Sequence, residues 1–238
     1  MKNGYQYENR PRNVFRFALA VWRVLKDPEN TREAGIVELT FNRSRWGSKI
    51  ARWDQVAAEL IQQHPQLKTV IDARRRLPRV DLDELQALPA GTLGHTLAVV
   101  ERKRDYDPNL IDPLPHDSEG DWLMAHLYET HDFWHVLTGF DFDLEGELGV
   151  GGVYMAQLPN ATFFGFMLSL IMMKVVWKHP EQHGAILAAF NEGYRIGQRC
   201  QPLLGLDWQQ LCKRDLNELR SELNIDDAGR IEAFARAA

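Results

Sequence analysis

The residues with the clearest chemistry in this sequence are His131, Asp132 and His135, followed by Glu147 in the run Glu145-Gly146-Glu147. On an α-helix each residue turns by about 100°, so His131 and His135 stand one turn apart and about 40° apart around the axis. Two imidazoles at that spacing can reach one metal ion. Asp132 falls on the same side, about 60° from His135. Gly139 is placed to end the helix, and residues 140–144 give the chain room to return and bring Glu147 beside the histidines. The result is a nitrogen–oxygen site with two imidazoles and one or two carboxylates, and His131, Asp132, His135 and Glu147 are the expected ligands of one divalent ion. Zinc is the first expectation, and iron, manganese and magnesium fit the same donor types. A bare H-x-x-x-H is often no more than two locally hydrogen-bonded histidines. Here Leu123, Leu127, Trp134 and Leu137 flank them, and polar groups beside such a surface need a partner or an ion.

These residues need helices to hold them, and the pattern supplies helices. From Glu119 onward it predicts them near 119–139, 144–157, 162–178, 181–200 and 208–223, punctuated by Gly139, Pro159, Pro180, Pro202 and Gly205. Asp207 with Gln210 resembles a capping box for the last. Upstream, helices are expected over 49–63, stopped at His64-Pro65, and over 93–105 after the turn Leu88-Pro89-Ala90-Gly91-Thr92. Asn13 to Lys26 reads as a basic amphipathic helix able to lie on a membrane surface. Asp72 to Arg79 is a basic cluster of the kind that usually forms a solvated face. No alternating β-branched run and no internal repeat is present. The fold class is all-α: an N-terminal helix and loop over 1–48, a helical domain over 49–225, and a C-terminal tail over 226–238.

The chain of 238 residues is long enough for a sizeable core, with 45% hydrophobic and 26% charged residues. A net charge of −5 argues against nucleic acid as the main partner. Cys200 and Cys212 make no disulfide framework, which points to a reducing compartment, and no signal peptide is apparent at the N-terminus. The most apolar stretch, Ala161 to Trp177, is interrupted by Lys174 and falls short of a membrane span of about 20 apolar residues. It is expected to be buried or in contact with lipid. His126 lies about 140° round the helix from His131, too far to share its ion. His179 and His183 repeat the i, i+4 spacing with only Glu181 to join them, and local hydrogen bonds are the better reading. Lys174, Arg195 and Arg199 have the charge to meet an anionic head group or pyrophosphate, though cations on helices are more often surface groups.

The residues also carry a family resemblance. His131-Asp132-x-x-His135-x11-Glu147 resembles the signature of the ubiquinone (coenzyme Q) biosynthesis protein 4 family. Leu88-Pro89-Ala90-Gly91-Thr92-Leu93-Gly94 looks like its upstream LPxGTLG segment, and Gly146-Glu147-Leu148 like its GE-apolar step. Gly197, Cys200 and the stretch Leu216 to Ile225 are similar to its late helices. The likeness covers residues 85–225. Departures are His116-Asp117-Ser118-Glu119-Gly120-Asp121, where the family has an Asp-Asp pair, and a looser Q-x-LP segment at Gln157 to Pro159. The resemblance implies an all-helical metal protein holding a polyprenylated aromatic lipid near the ion, with other ubiquinone biosynthesis enzymes as partners. It implies a cytoplasmic location, peripheral to the inner face of a bacterial membrane, and is compatible with a homodimer. The apolar helix over 162–178 is expected to line an elongated apolar lipid cavity ending near the metal, with lipid-contacting residues among Phe163, Phe166, Met167 and Met173.

Two activities follow from the resemblance. One is oxidative decarboxylation and hydroxylation at ring carbon one of a polyprenyl hydroxybenzoate; two histidines and a carboxylate leave open positions on a metal, as in non-haem iron oxygenases. The other is a non-catalytic lipid-binding scaffold. Two readings from other classes compete. An HD-type phosphohydrolase would conscript His95, His116 and Asp141, and fits the second histidine at i+4 poorly. A zinc peptidase needs glutamate where Asp132 stands.

Overall fold

The computed structural model describes residues 52–77, 79–105, 108–109, 114, 117–160, 162–226, 230 and 234, without the side chains of residues 163, 164 and 167. The helix expected over Asn13 to Lys26 and His116 lie outside the described residues. Ten α-helices are described: α1 Trp53–Gln63, α2 Gln66–Asp72, α3 Leu82–Gln86, α4 Leu93–Lys103, α5 Glu119–Thr138, α6 Leu144–Gln157, α7 Thr162–Lys178, α8 His183–Arg199, α9 Trp208–Leu211 and α10 Leu216–Glu222. Among the described residues there is no strand, only an isolated bridge between Thr92 and Asp215.

Helix α5 is the axis of the domain. Ser118 starts it with a capping box: its hydroxyl accepts from the Asp121 amide, and the Asp121 carboxylate accepts from the Ser118 amide. Gly139 ends it in the left-handed conformation, φ 77°, which a residue without Cβ adopts at little cost. The carbonyls left over at that end are not exposed to water. The buried Arg220 donates to the carbonyls of Leu137 at 2.9 Å and Val136 at 2.7 Å, and Arg230 donates to that of Thr138 at 2.8 Å. Two guanidinium charges thus sit at the negative end of the helix dipole. Trp122, Leu127, Phe133, Trp134 and Leu137 of α5 form the centre of the core, against Leu60, Leu97, Val153 and Ile196 of the neighbouring helices.

Helix α6 packs on α8 with almost nothing between the backbones. A Cβ added at Gly193 would lie 1.8 Å from the Gly149 carbonyl oxygen, and one at Gly152 would lie 2.3 Å from that of Phe190. Gln157 ties the far end: its carboxamide donates to Cys200 Sγ at 2.9 Å and accepts from the Leu203 amide at 3.0 Å.

Several expectations change. The arginine run 74–79 is not merely a solvated face: Arg74 donates to the Ser118 carbonyl, and Arg76 forms a part-buried ion pair with Glu129 of α5. The helix expected over 208–223 is two helices. Its middle is drawn into the start of α4, where the amides of Leu93 and Gly94 donate to the carbonyls of Arg214 and Cys212. Asp215 then caps α10. Of the segment read as a tail, Phe234 is buried in the main core. On α7, Leu168, Ile171 and Met172 pack toward Leu148 and Ile186, and Phe166 is half-buried. Met173 is 55% exposed and faces outward with Val176 and Trp177. The reason is helical phase: the inward positions at this level are Lys174 and Val175. The side chains of Phe163 and Met167 lie outside the description. Among the described residues no helix is long and apolar enough to cross a membrane.

Two predictions concern stability. Gly193→Ala should force α6 and α8 apart and cost more than about 2 kcal/mol in a urea unfolding experiment; an unchanged midpoint would show that the close approach is not tight. His126 is buried on α5, stacked on Trp122, with Nε2 accepting from the Gly205 amide at 3.4 Å. Burial, aided by the Arg76 charge, lowers its pKa from 6.5 to about 4. The neutral ring is the folded form, so its stabilisation is complete above pH 6.5 and is lost as pH falls toward 4. That loss amounts to about 3 kcal/mol at most. The drop in unfolding free energy between pH 7 and 4.5 should shrink in His126→Phe, and an equal drop in both proteins would contradict this account.

Candidate metal centre

His131 and His135 reach the same point from consecutive turns of α5, and the chain returns through residues 139–143 to deliver Glu147 on the first turn of α6. Local chemistry makes that return short. Asp143 caps α6 by accepting from the Gly146 amide at 2.8 Å. Gly146 has no room for a Cβ, which would fall 1.7 Å from the Asp141 carbonyl oxygen. Three side chains then converge. His131 Nε2 is 3.1 Å from Glu147 Oε2 and 3.1 Å from His135 Nε2, and His135 Nε2 is 3.7 Å from Glu147 Oε1. One ligand atom from each lies within 4.8 Å of the others.

The opposite ring nitrogens are braced. His135 Nδ1 is 3.2 Å from the Phe140 carbonyl oxygen, and His131 Nδ1 is 3.0 Å from the Tyr154 hydroxyl. A carbonyl only accepts, so His135 carries its hydrogen on Nδ1 and, when neutral, offers a lone pair at Nε2. Phe142 stacks on His135 with ring centroids 4.4 Å apart. Tyr154 packs against both His131 and Trp134. His135 has no exposed surface, whereas the side chains of His131 and Glu147 each keep 29%, so the site opens on one side.

The donor set fits a divalent cation. Ligands at zinc-like distances subtend donor–donor separations of about 2.9–3.4 Å, close to two of the three observed. Each imidazole has the outer hydrogen-bond partner that metal-bound histidines use. Three protein ligands also leave coordination positions for water or substrate. Burial works against the charge of Glu147, but the two histidines together outweigh it and hold the carboxyl well below the usual carboxylate range.

Asp132, the fourth expected ligand, stands beside these three side chains. It is half-buried next to the centre but does not join the convergent group. It stands near the buried Glu101 of α4, about 100° round the helix from His131. Burial, together with the nearby Glu147 charge, raises its pKa against the opposing influence of the histidines. Glu101, Tyr154 and Phe142 are the residues that sequence reasoning missed. His179 and His183 make local contacts, with Glu181 and the Pro180 carbonyl. Arg195 pairs with Glu192 and Arg199 with Asp226. Two groups that a phosphohydrolase reading needs are engaged elsewhere: His95 at the Gln86 carbonyl and Asp141 with Arg104.

The chain is an all-helical domain with a His-x-x-x-His pair on one helix and a glutamate on the next converging on one point, and comparison narrows what it is. The family model "Coenzyme Q (ubiquinone) biosynthesis protein Coq4" matches residues 50–229, and this chain belongs to that family. Among curated relatives, the mitochondrial ubiquinone biosynthesis protein COQ4 of Eremothecium gossypii is 28% identical over 152 residues, 62% of this chain and 46% of the relative. That of Candida glabrata is 27% identical over 176 residues, 72% of this chain and 49% of the relative. The chain thus spans about half the length of the curated relatives it matches. A crystal structure from Nostoc punctiforme PCC 73102, of a candidate ubiquinone biosynthesis protein, superposes with a TM-score of 0.71 at 25% identity. It covers 90% of this chain and 99% of the other.

Proposed function

We propose that this chain acts in ubiquinone biosynthesis. It holds one divalent metal ion on His131, His135 and Glu147 and binds a polyprenylated aromatic precursor beside it. The observation that carries this reading is the convergence of those three side chains, each imidazole braced from behind, in a chain of the Coq4 family.

The reaction we infer replaces the carboxyl group at ring carbon one of a polyprenyl hydroxybenzoate by a hydroxyl. Carbon dioxide leaves, water supplies the new oxygen, and two electrons and two protons pass to dioxygen, which becomes hydrogen peroxide. A bound metal would supply Lewis acidity toward the carboxylate or phenolate and, if iron or manganese, a path for the electrons. Zinc has no redox chemistry and would suit a scaffold role instead. Around that centre the chain's own groups have plain tasks. His135 and Phe142 close the inner wall and exclude water. Glu147 offsets the ion's charge so that an anionic substrate is not held too tightly. The open side, between His131 and Glu147, admits the aromatic head. The outward apolar residues of α7 and other ubiquinone biosynthesis enzymes are the partners this reading gives to the tail and to the pathway.

The test is His135→Ala in a cell that depends on this protein for ubiquinone. The protein should stay folded, since one lost imidazole costs about 2–4 kcal/mol, while ubiquinone production should stop. An accumulated intermediate that still bears its ring carboxyl supports the decarboxylase. Failure of several later steps together, with no turnover by purified protein, supports the scaffold. Normal ubiquinone from a folded, metal-free variant would sink both.

A further inference from the structure

We infer that Tyr154 is a positioning residue whose hydroxyl reverses its hydrogen bond to His131, from donor to acceptor, when a metal binds. The inference rests on the metal reading above and on the geometry around three nitrogens.

His135 has its hydrogen committed. Its Nδ1 faces the Phe140 carbonyl, which can only accept, so its Nε2 is an acceptor. The carboxylate of Glu147 is also an acceptor. His131 Nε2 lies 3.1 Å from each of these two acceptors. Without a cation, the hydrogen that joins them must come from His131 itself, on Nε2. A neutral His131 then has a bare Nδ1, and the Tyr154 hydroxyl, 3.0 Å away, must donate to it. A metal among the three side chains requires the reverse. His131 has to present a lone pair at Nε2, its hydrogen moves to Nδ1 through exchange with solvent, and Tyr154 must accept. The imidazole gains and loses no net proton.

A hydroxyl is the group that satisfies both states, because it carries one donor and two lone pairs and turns by rotation about a single bond. The oxygen need not move. The Tyr154 ring is buried, 4% exposed, and packed against Trp134 with centroids 4.6 Å apart. The two histidines are therefore unequal ligands. His135 is locked by a backbone carbonyl in the metal-ready tautomer, and His131 is the ligand that adapts. Tyr154 stands on the right face of α6 to do this, seven residues and about two turns after Glu147.

The experiment uses the full chain, stripped of metal and titrated with zinc against a competing chelator, for the wild type and Tyr154→Phe. The variant should bind zinc about tenfold to a hundredfold more weakly, with a metal-free melting temperature near that of the wild type. Long-range proton–nitrogen spectra of wild-type protein labelled at histidine, at pH 8, should show His131 protonated on Nε2 without zinc and on Nδ1 with it. The spectra need no variant, so they decide even if Tyr154→Phe fails to fold. The same protonated nitrogen in both states, or both nitrogens protonated without metal, overturns the inference. Zinc affinity unchanged by Tyr154→Phe overturns it while leaving the metal reading intact. Failure of the wild-type protein to bind zinc overturns the two together.

Discussion

The return from α5 into α6 is the constraint on which the rest of the structure depends. Glu147 meets the histidines only if the chain reverses within residues 139–143 and the new helix starts at once. Gly139 supplies the left-handed turn, Asp143 caps the first amides of α6, and Gly146 lets the Asp141 carbonyl pass where a Cβ would stand. The same reversal carries the Phe140 carbonyl onto His135 and the Phe142 ring over it. The remaining helices hold this corner in place. Arg220 and Arg230 secure the last carbonyls of α5, and α8 clamps α6 through glycines so closely spaced that the backbones touch. A site whose ligands come from two helices is only as well placed as the packing between them.

Electrostatics give the corner its purpose. Two imidazoles and a carboxylate meet beside the buried core at Trp134 and Tyr154, where polar groups without compensation are costly. Glu147 stays ionised because the histidines outweigh its burial. In the proposed reading a divalent cation would complete that balance: both imidazoles, once neutral, would turn lone pairs inward and the carboxylate would gain a full counter-charge.

Much of this was legible in the sequence where the cause is local. Gly139 and the i, i+4 histidines define α5 without reference to any other helix, and α5, α6 and α7 match the expected spans to within a residue. Glu147 was legible because its return needs only a short turn. What was not legible depends on a partner. The burial of Glu101 of α4 near Asp132 is one case, and its available signal was that Glu101 falls on the same stripe as Leu97 and Leu93, four and eight residues earlier. Tyr154 announces itself only once Glu147 is accepted as a ligand two turns before it. The break between α9 and α10 comes from carbonyls drawn to the start of α4, more than a hundred residues upstream. Helix α7 is apolar nearly all round, so periodicity alone could not tell that Met173 is exposed.

The central claim is that His131, His135 and Glu147 share one metal ion. X-ray absorption spectroscopy of anaerobically purified protein tests it most directly. The account predicts one ion per chain with two imidazole nitrogens at about 2.0–2.1 Å and one carboxylate in its first shell, and no bound ion in a protein lacking both histidines. An ion with no imidazole among its ligands, or with sulfur ligands, or one retained when both histidines are replaced, would contradict it.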